Sequence, residues 1–262
     1  MSSRSWFDGV AEIYERVRPL YPARLFDDLF NYLGGDPANP EPVATIEIGP
    51  GTGQATGSLL ARGATVAAVE PGPKLAEFLR SKFSGQPRLV VINERFEDAP
   101  LPEGMADLVV AATSFHWVDP AVRYEKVRAA LRAGGVLAVI GTNQIASEAD
   151  RGYFEASQVL YQRYFPGEEP GELQGEDVTP PEIPEIIDSG VFEKVELFRY
   201  RWDQRYNTEE YLDLVRSYSN TNQMEPGARE AFLGDLERFI DEEYEGYVIR
   251  PLVITLSLAR KR

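Results

Sequence analysis

The order of hydrophobic segments in this 262-residue sequence predicts an α/β fold with a doubly wound, mostly parallel, seven-stranded sheet. Three observations carry that prediction. Between residues 43 and 140, short apolar runs alternate with helical stretches, as in parallel strands joined by crossover helices. The runs are apolar on both faces, 106–112 at every position but Asp107, as strands covered by helices on either side must be. A glycine-rich turn, Gly49-Pro50-Gly51-Thr52-Gly53, joins the first run to its helix.

Each element has its own justification. Residues 6–18 read as a helix with Phe7, Val10, Ile13, Tyr14 and Val17 on one face, ended by Arg18-Pro19-Leu20-Tyr21-Pro22. A second helix is expected over 23–32, and 34–42, rich in Gly, Pro, Asn and Asp, reads as a loop. Strands follow at 43–48, 64–70, 88–92, 106–112 and 134–140, with helices at 54–62, 73–83 and 120–132 between them. Beyond Asn143 the pattern changes. Residues 147–165 read as one amphipathic helix, 166–184 as an acidic Pro/Gly-rich loop, 186–190 as a helix end, and 191–202 as a strand. Helices at 208–218 and 226–244 and a long strand at 247–259 complete the chain. The organisation expected is an N-terminal helical arm (1–42), a cofactor-binding core (43–143), and a helical lid insert with the last two strands of the same sheet (144–262).

Composition narrows the function. A hydrophobic content of 43% with 11% aromatics supplies a substantial core, so the chain is not disordered. Lys+Arg number 27 against 42 Asp+Glu, a net charge of −15 that repels phosphate backbones and anionic lipid, so neither nucleic acid nor a membrane is the expected partner. Without cysteine and with one histidine, His116, the sequence has no disulfide, no cysteine nucleophile and no multi-histidine metal site, and no metal is expected. No apolar leader follows Met1 and no long apolar run occurs, which points to a soluble, cytoplasmic protein of unspecified oligomeric state.

The glycine turn locates the chemistry. A ligand at the carboxyl edge of a parallel strand meets the N–H groups that open the following helix, and glycines let the backbone approach it closely. Glu70 ends the second strand, where a carboxylate can accept hydrogen bonds from both hydroxyls of a ribose; it could instead cap the following helix. Turn and carboxylate together indicate an adenosine-type cofactor. The dinucleotide pattern Gly-x-Gly-x-x-Gly fails, because Gln54 or Thr56 stands where the last glycine belongs. The phosphate-loop pattern fails because Gln54, not lysine, follows Gly53. Glu47, two residues before Gly49, would repel a pyrophosphate but attract an ammonium or sulfonium.

On these motifs the sequence resembles the class I S-adenosylmethionine-dependent methyltransferases, whose core is a Rossmann-like sheet. More narrowly it resembles their small-molecule branch, with its ubiquinone/menaquinone-type and trans-aconitate-type enzymes. Residues 47–53 match the first motif, which implies that Glu47, Gly49, Pro50, Gly51 and Gly53 lie against the methionine part of S-adenosylmethionine. Glu70-Pro71-Gly72 matches the second, implying ribose binding by Glu70 beside Pro71. Residues 95–102 match the third, implying adenine contacts from Phe96 and Glu97, although Arg95 stands where the family often has Asp. Residues 107–119 match the fourth, which implies that Thr113, Ser114 and Phe115 face the transferred methyl group. Residues 131–137 match the turn into the fifth strand. The arm motif Tyr14-x-x-x-Arg18-Pro19-x-Tyr21-Pro22 resembles the segment that folds over the cofactor in this branch, adding Tyr14 and Arg18 to the cofactor set.

Methyl transfer is an in-line displacement from an activated sulfonium, so alignment and desolvation supply most of the catalysis, and only a hydroxyl acceptor needs a base. His116 is the candidate base; the other reading makes it a packing residue shaping the pocket with Phe115 and Trp117, and Tyr21, His116 and Trp117 are the expected substrate pocket. Arg18 either clamps a carboxylate or is a solvated helix-end charge. Tyr14 and Tyr21 line the site or pack in the core. The aromatic series Tyr153, Phe154, Tyr161, Tyr164 and Phe165 is a packing face, a substrate box, or both. Arg201 and Arg205 either receive an anion or pair with the acid excess. The expected activity is methyl transfer to a small molecule, with O-methylation favoured. A non-catalytic S-adenosylmethionine-binding protein and a nucleotide-dependent oxidoreductase are the alternatives.

Overall fold

The structure is a computed structural model and describes residues 15–17, 20–34, 41–167 and 171–262. Seven strands form one sheet in the order β3-β2-β1-β4-β5-β7-β6. The first five, β1 (Ala44–Ile48), β2 (Thr65–Val69), β3 (Leu89–Ile92), β4 (Ala106–Ala112) and β5 (Leu131–Gln144), pair in parallel, while β7 (Tyr247–Arg260) is antiparallel to both β5 and β6 (Glu196–Asn207). This is the doubly wound, Rossmann-like arrangement expected. The strand order reverses direction at β1, where β2 lies on one side and β4 on the other, so a crevice opens at the carboxyl end of β1.

Two apolar clusters cover the faces. On one, α1 (Ala23–Leu33) and α2 (Gln54–Ala61) bury Leu25, Phe26, Leu29, Leu59 and Leu60 against the even-numbered residues of β5 and β7. On the other, α4 (Arg123–Ala130) and the short α6 (Glu182–Asp188) meet the odd-numbered residues, from Val109 to Leu137. The two-residue period of a strand sends alternate side chains into opposite clusters, which is why these strands read as continuously apolar. α3 (Pro73–Lys82) opens with proline at its first position, where its missing N–H leaves no bond unmade. A third cluster joins α5 (Tyr153–Tyr164), α7 (Thr208–Arg216) and α9 (Pro226–Glu243) over Tyr206 and Val248, and Phe232 touches Tyr161, Tyr164 and Phe165 there at ring-centroid distances of 5.2–5.3 Å.

Several local expectations are corrected. The helix expected over 147–165 is broken by a 3-10 turn at Glu148–Asp150 and by left-handed Arg151 and Gly152; the Asp150 carboxylate accepts from the Gly152 and Phe154 N–H groups and starts α5 afresh. The strand expected over 191–202 runs instead from Glu196 to Asn207, because β7 offers it a continuous partner through Asn207↔Tyr247. Helix α6 begins at Glu182, inside the expected loop, and Glu182 accepts a hydrogen bond from Ser257 of β7 at 3.0 Å. α4 is shorter than the 120–132 expected, since β5 begins already at Leu131, opposite Ala106. The helix expected over 208–218 ends at Arg216, and a separate short α8 (Ser219–Gln223) follows. Of the helix expected over 6–18, only residues 15–17, which are helical, lie among those described.

Candidate cofactor and acceptor cleft

The crevice at the end of β1 is lined by the glycine turn and by residues at the ends of β2, β4 and β5. Gly49, Gly51 and Gly53 all take positive φ, at 60°, 59° and 87°. Gly49 donates to the Val69 carbonyl at 2.9 Å, and a β-carbon on it would stand 2.8 Å from Cβ of Ser114. At Gly53 a β-carbon would strike Leu79 and Phe83 at 2.7 Å, so this glycine allows α2 and α3 to close on each other and is not a wall residue. Gly51 differs, because it lines the cleft and has nothing within 4 Å of its missing β-carbon. The open space there is where a ligand can lie against the main chain.

Two carboxylates flank this turn. Glu47, on β1, is 1% exposed; its Oε2 accepts from Thr56 Oγ1 at 2.7 Å, and its Oε1 has no hydrogen-bond partner among the described residues. Burial pushes its pKa up to about 7, opposed by the Thr56 hydrogen bond and reinforced by nearby Glu70. Glu70, just past β2, is 4% exposed and accepts from the Gly51 N–H at 3.0 Å and the Gly72 N–H at 2.8 Å. Each carboxylate oxygen can accept more than one bond, so Glu70 can brace the turn and still receive hydroxyl donors. A second brace comes from Ser114, which donates its hydroxyl to the Ile48 carbonyl and so ties the end of β4 to β1.

Beyond Ser114 the chain is strained. Thr113 has φ of 53°, a left-handed conformation uncommon outside glycine, and it lines the cleft. Its N–H donates to Ile140, and its hydroxyl lies 3.5 Å from that of Tyr21. Pro50, Pro71, Phe96, Glu97, Tyr21 and Trp117 complete the part of the lining foreseen from sequence. The Glu97 carboxylate accepts from Arg95 at 2.9 Å and from the Asp119 N–H at 3.2 Å. Burial works against its ionisation, but hydrogen bonds from its own backbone, Arg95 and Asp119 prevail and lower its pKa.

Other expected site residues lie elsewhere. Phe115 is buried in the core behind the cleft, and Glu47 and Gly53 sit beneath its surface. His116 is exposed on the 3-10 turn Phe115–Trp117, its ring 4.9 Å from that of Trp117, and is not part of the wall. Desolvation by its neighbours and then the Arg123 guanidinium lower its pKa below the usual imidazole value. Tyr14 and Arg18 lie outside the described residues.

The wall also contains Gln54, Leu75, Arg95 and Thr142, none of which sequence reading placed in the site. Thr142 continues the alternation of Ala138 and Ile140 past the point where apolar character stops, and that period was its only signal. Gln54 carried one too, as the first helical residue after the turn. Its amide donates to Thr52 at 2.7 Å and to Glu15 at 3.4 Å, and Glu15 also pairs with Lys82 at 2.5 Å. The next two residues reach the lid: Arg16 pairs with Asp213 of α7, and Val17 is buried in the aromatic cluster. Residues 15–17 therefore span from the glycine turn to the helical insert.

Fold and cleft together define an open α/β sheet with a cleft at its topological switch point. Residues 46–139 match the family described as a methyltransferase domain. Over 134 residues the chain is 36% identical to an uncharacterised methyltransferase of Mycobacterium bovis, covering 51% of this chain and 51% of that protein. The chain thus spans about half the length of the first curated relatives it matches. A solved structure from Anaeromyxobacter dehalogenans, provisionally described as a type II methyltransferase, superposes with a TM-score of 0.55 at 22% identity, over 93% of this chain and 96% of that one. Phosphoethanolamine N-methyltransferase 2 of Haemonchus contortus, solved with S-adenosylhomocysteine, gives 0.55 at 13% identity, over 100% of this chain and 60% of that one. These likenesses are to the fold. No helix among the described residues is long and apolar enough to cross a membrane.

Proposed function

We propose that this protein transfers a methyl group from S-adenosylmethionine to a small-molecule acceptor, with an oxygen as the favoured acceptor atom. The observation that carries this reading is the pairing of two buried carboxylates with an open glycine turn at the end of β1. Glu47 is a buried acid with an unpartnered oxygen and a raised pKa, an environment that a nearby cation would relieve. Gly51 leaves open space on the wall, and Glu70 stands one strand over with acceptor capacity for a ribose. A pyrophosphate, with its negative charge, would be repelled by the same pair. When bound, S-adenosylmethionine supplies an activated methyl group and a neutral leaving group.

The residues of the chain then have separate tasks. The turn 49–53 and Pro50 would hold the amino-acid part, Glu70 and Pro71 the sugar, and Phe96 and Glu97 the base. Thr113 and Ser114 would face the reacting centre, with Tyr21 and Trp117 on the acceptor side. Tyr14 and Arg18 of the arm would close over the cofactor. His116, held neutral at pH 7, is the candidate base for a hydroxyl acceptor, reaching it by a movement of the 115–117 turn. The three units proposed are the arm (1–42), the core (43–143) and the lid with the last two strands (144–262). The net charge of −15 favours a small molecule over nucleic acid as acceptor.

The test is calorimetric titration with S-adenosylmethionine, S-adenosylhomocysteine and NAD. Binding of the first two and not the third is expected; tight NAD binding with no S-adenosylhomocysteine binding would overturn the reading. Homocysteine-containing product released on incubation with a mixed acceptor pool separates the enzyme from a non-catalytic binder.

A further inference from the structure

Among the described residues Arg250 is a cation without an acid. It lies on β7, and its guanidinium donates to Gln144 Oε1 from Nε at 3.1 Å and from Nη2 at 2.7 Å, and to the Tyr218 hydroxyl from Nη1 at 2.8 Å. A guanidinium has five N–H donors, so Gln144 and Tyr218 take three and leave two. Among the described residues no carboxylate pairs with Arg250, in a chain with 42 of them. Arg123, the other arginine held deep in the fold, does have its acid, Glu185. The tyrosines near Arg250 do not cancel its charge, because burial first, and their mutual proximity after it, keep Tyr153 and Tyr161 protonated well past neutral pH. A half-buried positive charge ringed by neutral hydroxyls is a costly arrangement unless something negative is meant to join it.

Its position ties it to the cleft. Thr142 lines the cleft, and Gln144 follows two residues later on the same face of β5, about 7 Å further along the strand. Arg250 shares that face, since the even-numbered residues of β5 and β7 both point to the cluster that also holds Tyr21. Gln144, Arg250, Tyr161 and Tyr218 are each partly exposed, although they stand where the sheet, α5 and α7 converge. Each therefore keeps some surface that solvent reaches, and Gln144 places the group next to Thr142 of the cleft along β5.

We propose that Arg250, with Tyr218 and Gln144, forms a carboxylate-binding subsite that anchors the acid group of the methyl acceptor. The planar fork of arginine fits a carboxylate, and two free N–H groups suffice for it. The anchored acid would be a handle and not the methylated atom, so the acceptor is a small organic acid carrying a second nucleophilic group. This inference rests on the methyl-transfer reading and narrows its substrate class.

Calorimetric titration with benzoate and with benzamide, each with and without saturating S-adenosylhomocysteine, tests it. Benzoate should bind at least about tenfold more tightly than its neutral amide, as a charge-assisted contact requires. Arg250→Gln should abolish that preference and leave S-adenosylhomocysteine affinity within about twofold. Tyr218→Phe, which keeps the shape, should weaken benzoate about threefold and covers the case in which the first variant fails to fold. Equal binding of acid and amide, no binding of either, or a preference that survives Arg250→Gln overturns the subsite. Benzoate preference in a protein that binds no S-adenosylhomocysteine would overturn the methyl-transfer reading and keep the anion site.

Discussion

On the parallel side of the sheet the turn at the cleft is shaped by main chain: left-handed Gly49 and Gly51, a strained Thr113, and Glu70 accepting from backbone N–H groups. On the antiparallel side, around β6 and β7, the surroundings are side chains, with tyrosines and phenylalanines packed edge to face and Arg250 among them. The difference teaches which part can vary. A wall of backbone recognises a ligand whose shape is constant, since no substitution short of breaking the turn changes it. A wall of aromatic side chains can be reshaped one residue at a time, as suits an acceptor that differs between related enzymes.

Substitutions on either side should therefore separate stability from cofactor affinity. The largest effect on stability is expected from Phe232→Ala in the lid, at about 3–5 kcal/mol, because a fully buried ring with three aromatic neighbours leaves a cavity. Urea denaturation would measure it, and S-adenosylhomocysteine affinity of the folded fraction should stay unchanged. If affinity falls in step with stability, the two regions are not separable.

Next in size, stability should depend on pH through Glu47. Its folded pKa of about 7 exceeds the ordinary value of 4.5, so the folded state binds the proton more tightly. That contribution is fully present below pH 4.5 and is lost as pH rises through 7, on the order of 3 kcal/mol. Glu47→Gln should flatten this part of the stability-against-pH curve, and the wild type should release a proton on binding the sulfonium ligand near pH 6. An unchanged curve in the variant would remove Glu47 from the argument.

Glu70→Ala strips two charge-assisted bonds from the Gly51 and Gly72 N–H groups as well as the expected ribose contact. The Kd for S-adenosylmethionine should rise at least about tenfold, from the ~1.5–3 kcal/mol of such a bond. Gly51→Ala sharpens the same point: a left-handed alanine costs about 1 kcal/mol of stability. Its methyl group nevertheless enters open space on the cleft wall, so affinity should fall by more than stability does. The most diagnostic effect belongs to His116→Ala. With S-adenosylmethionine saturating, kcat should drop about a hundredfold for a hydroxyl acceptor that needs a base. An unchanged kcat would make His116 a surface residue of the turn.

Most of the parallel half was legible in the sequence because its signals are local. Apolar runs of strand length, helix-opening prolines and a glycine turn each act within a few residues, and Glu70 follows its strand at a fixed offset. The lid was less legible. The break at Arg151-Gly152 depends on Asp150 turning back on its own backbone, and the start of α6 on a hydrogen bond from Ser257, 75 residues away. β6 runs five residues beyond its apolar stretch because β7 supplies the partner, and Asp203, Gln204 and Arg205 gave no hint of a strand. Within the site, Thr142 and Gln54 were missed because strand period and helix position say where a residue can stand and nothing about the space beside it.

What the sequence by itself determined is the class of sheet, the glycine turn at which a cleft opens in it and the two acids beside that turn, since backbone preference and hydrophobic period are properties of neighbouring residues. Only the tertiary structure decided that, among the described residues, Glu47 keeps an unpartnered oxygen, His116 stays out of the cleft wall, and Arg250 has tyrosines for company in place of an acid. Those are facts about desolvation and pairing between segments far apart in the chain, and they exist only once the segments have met.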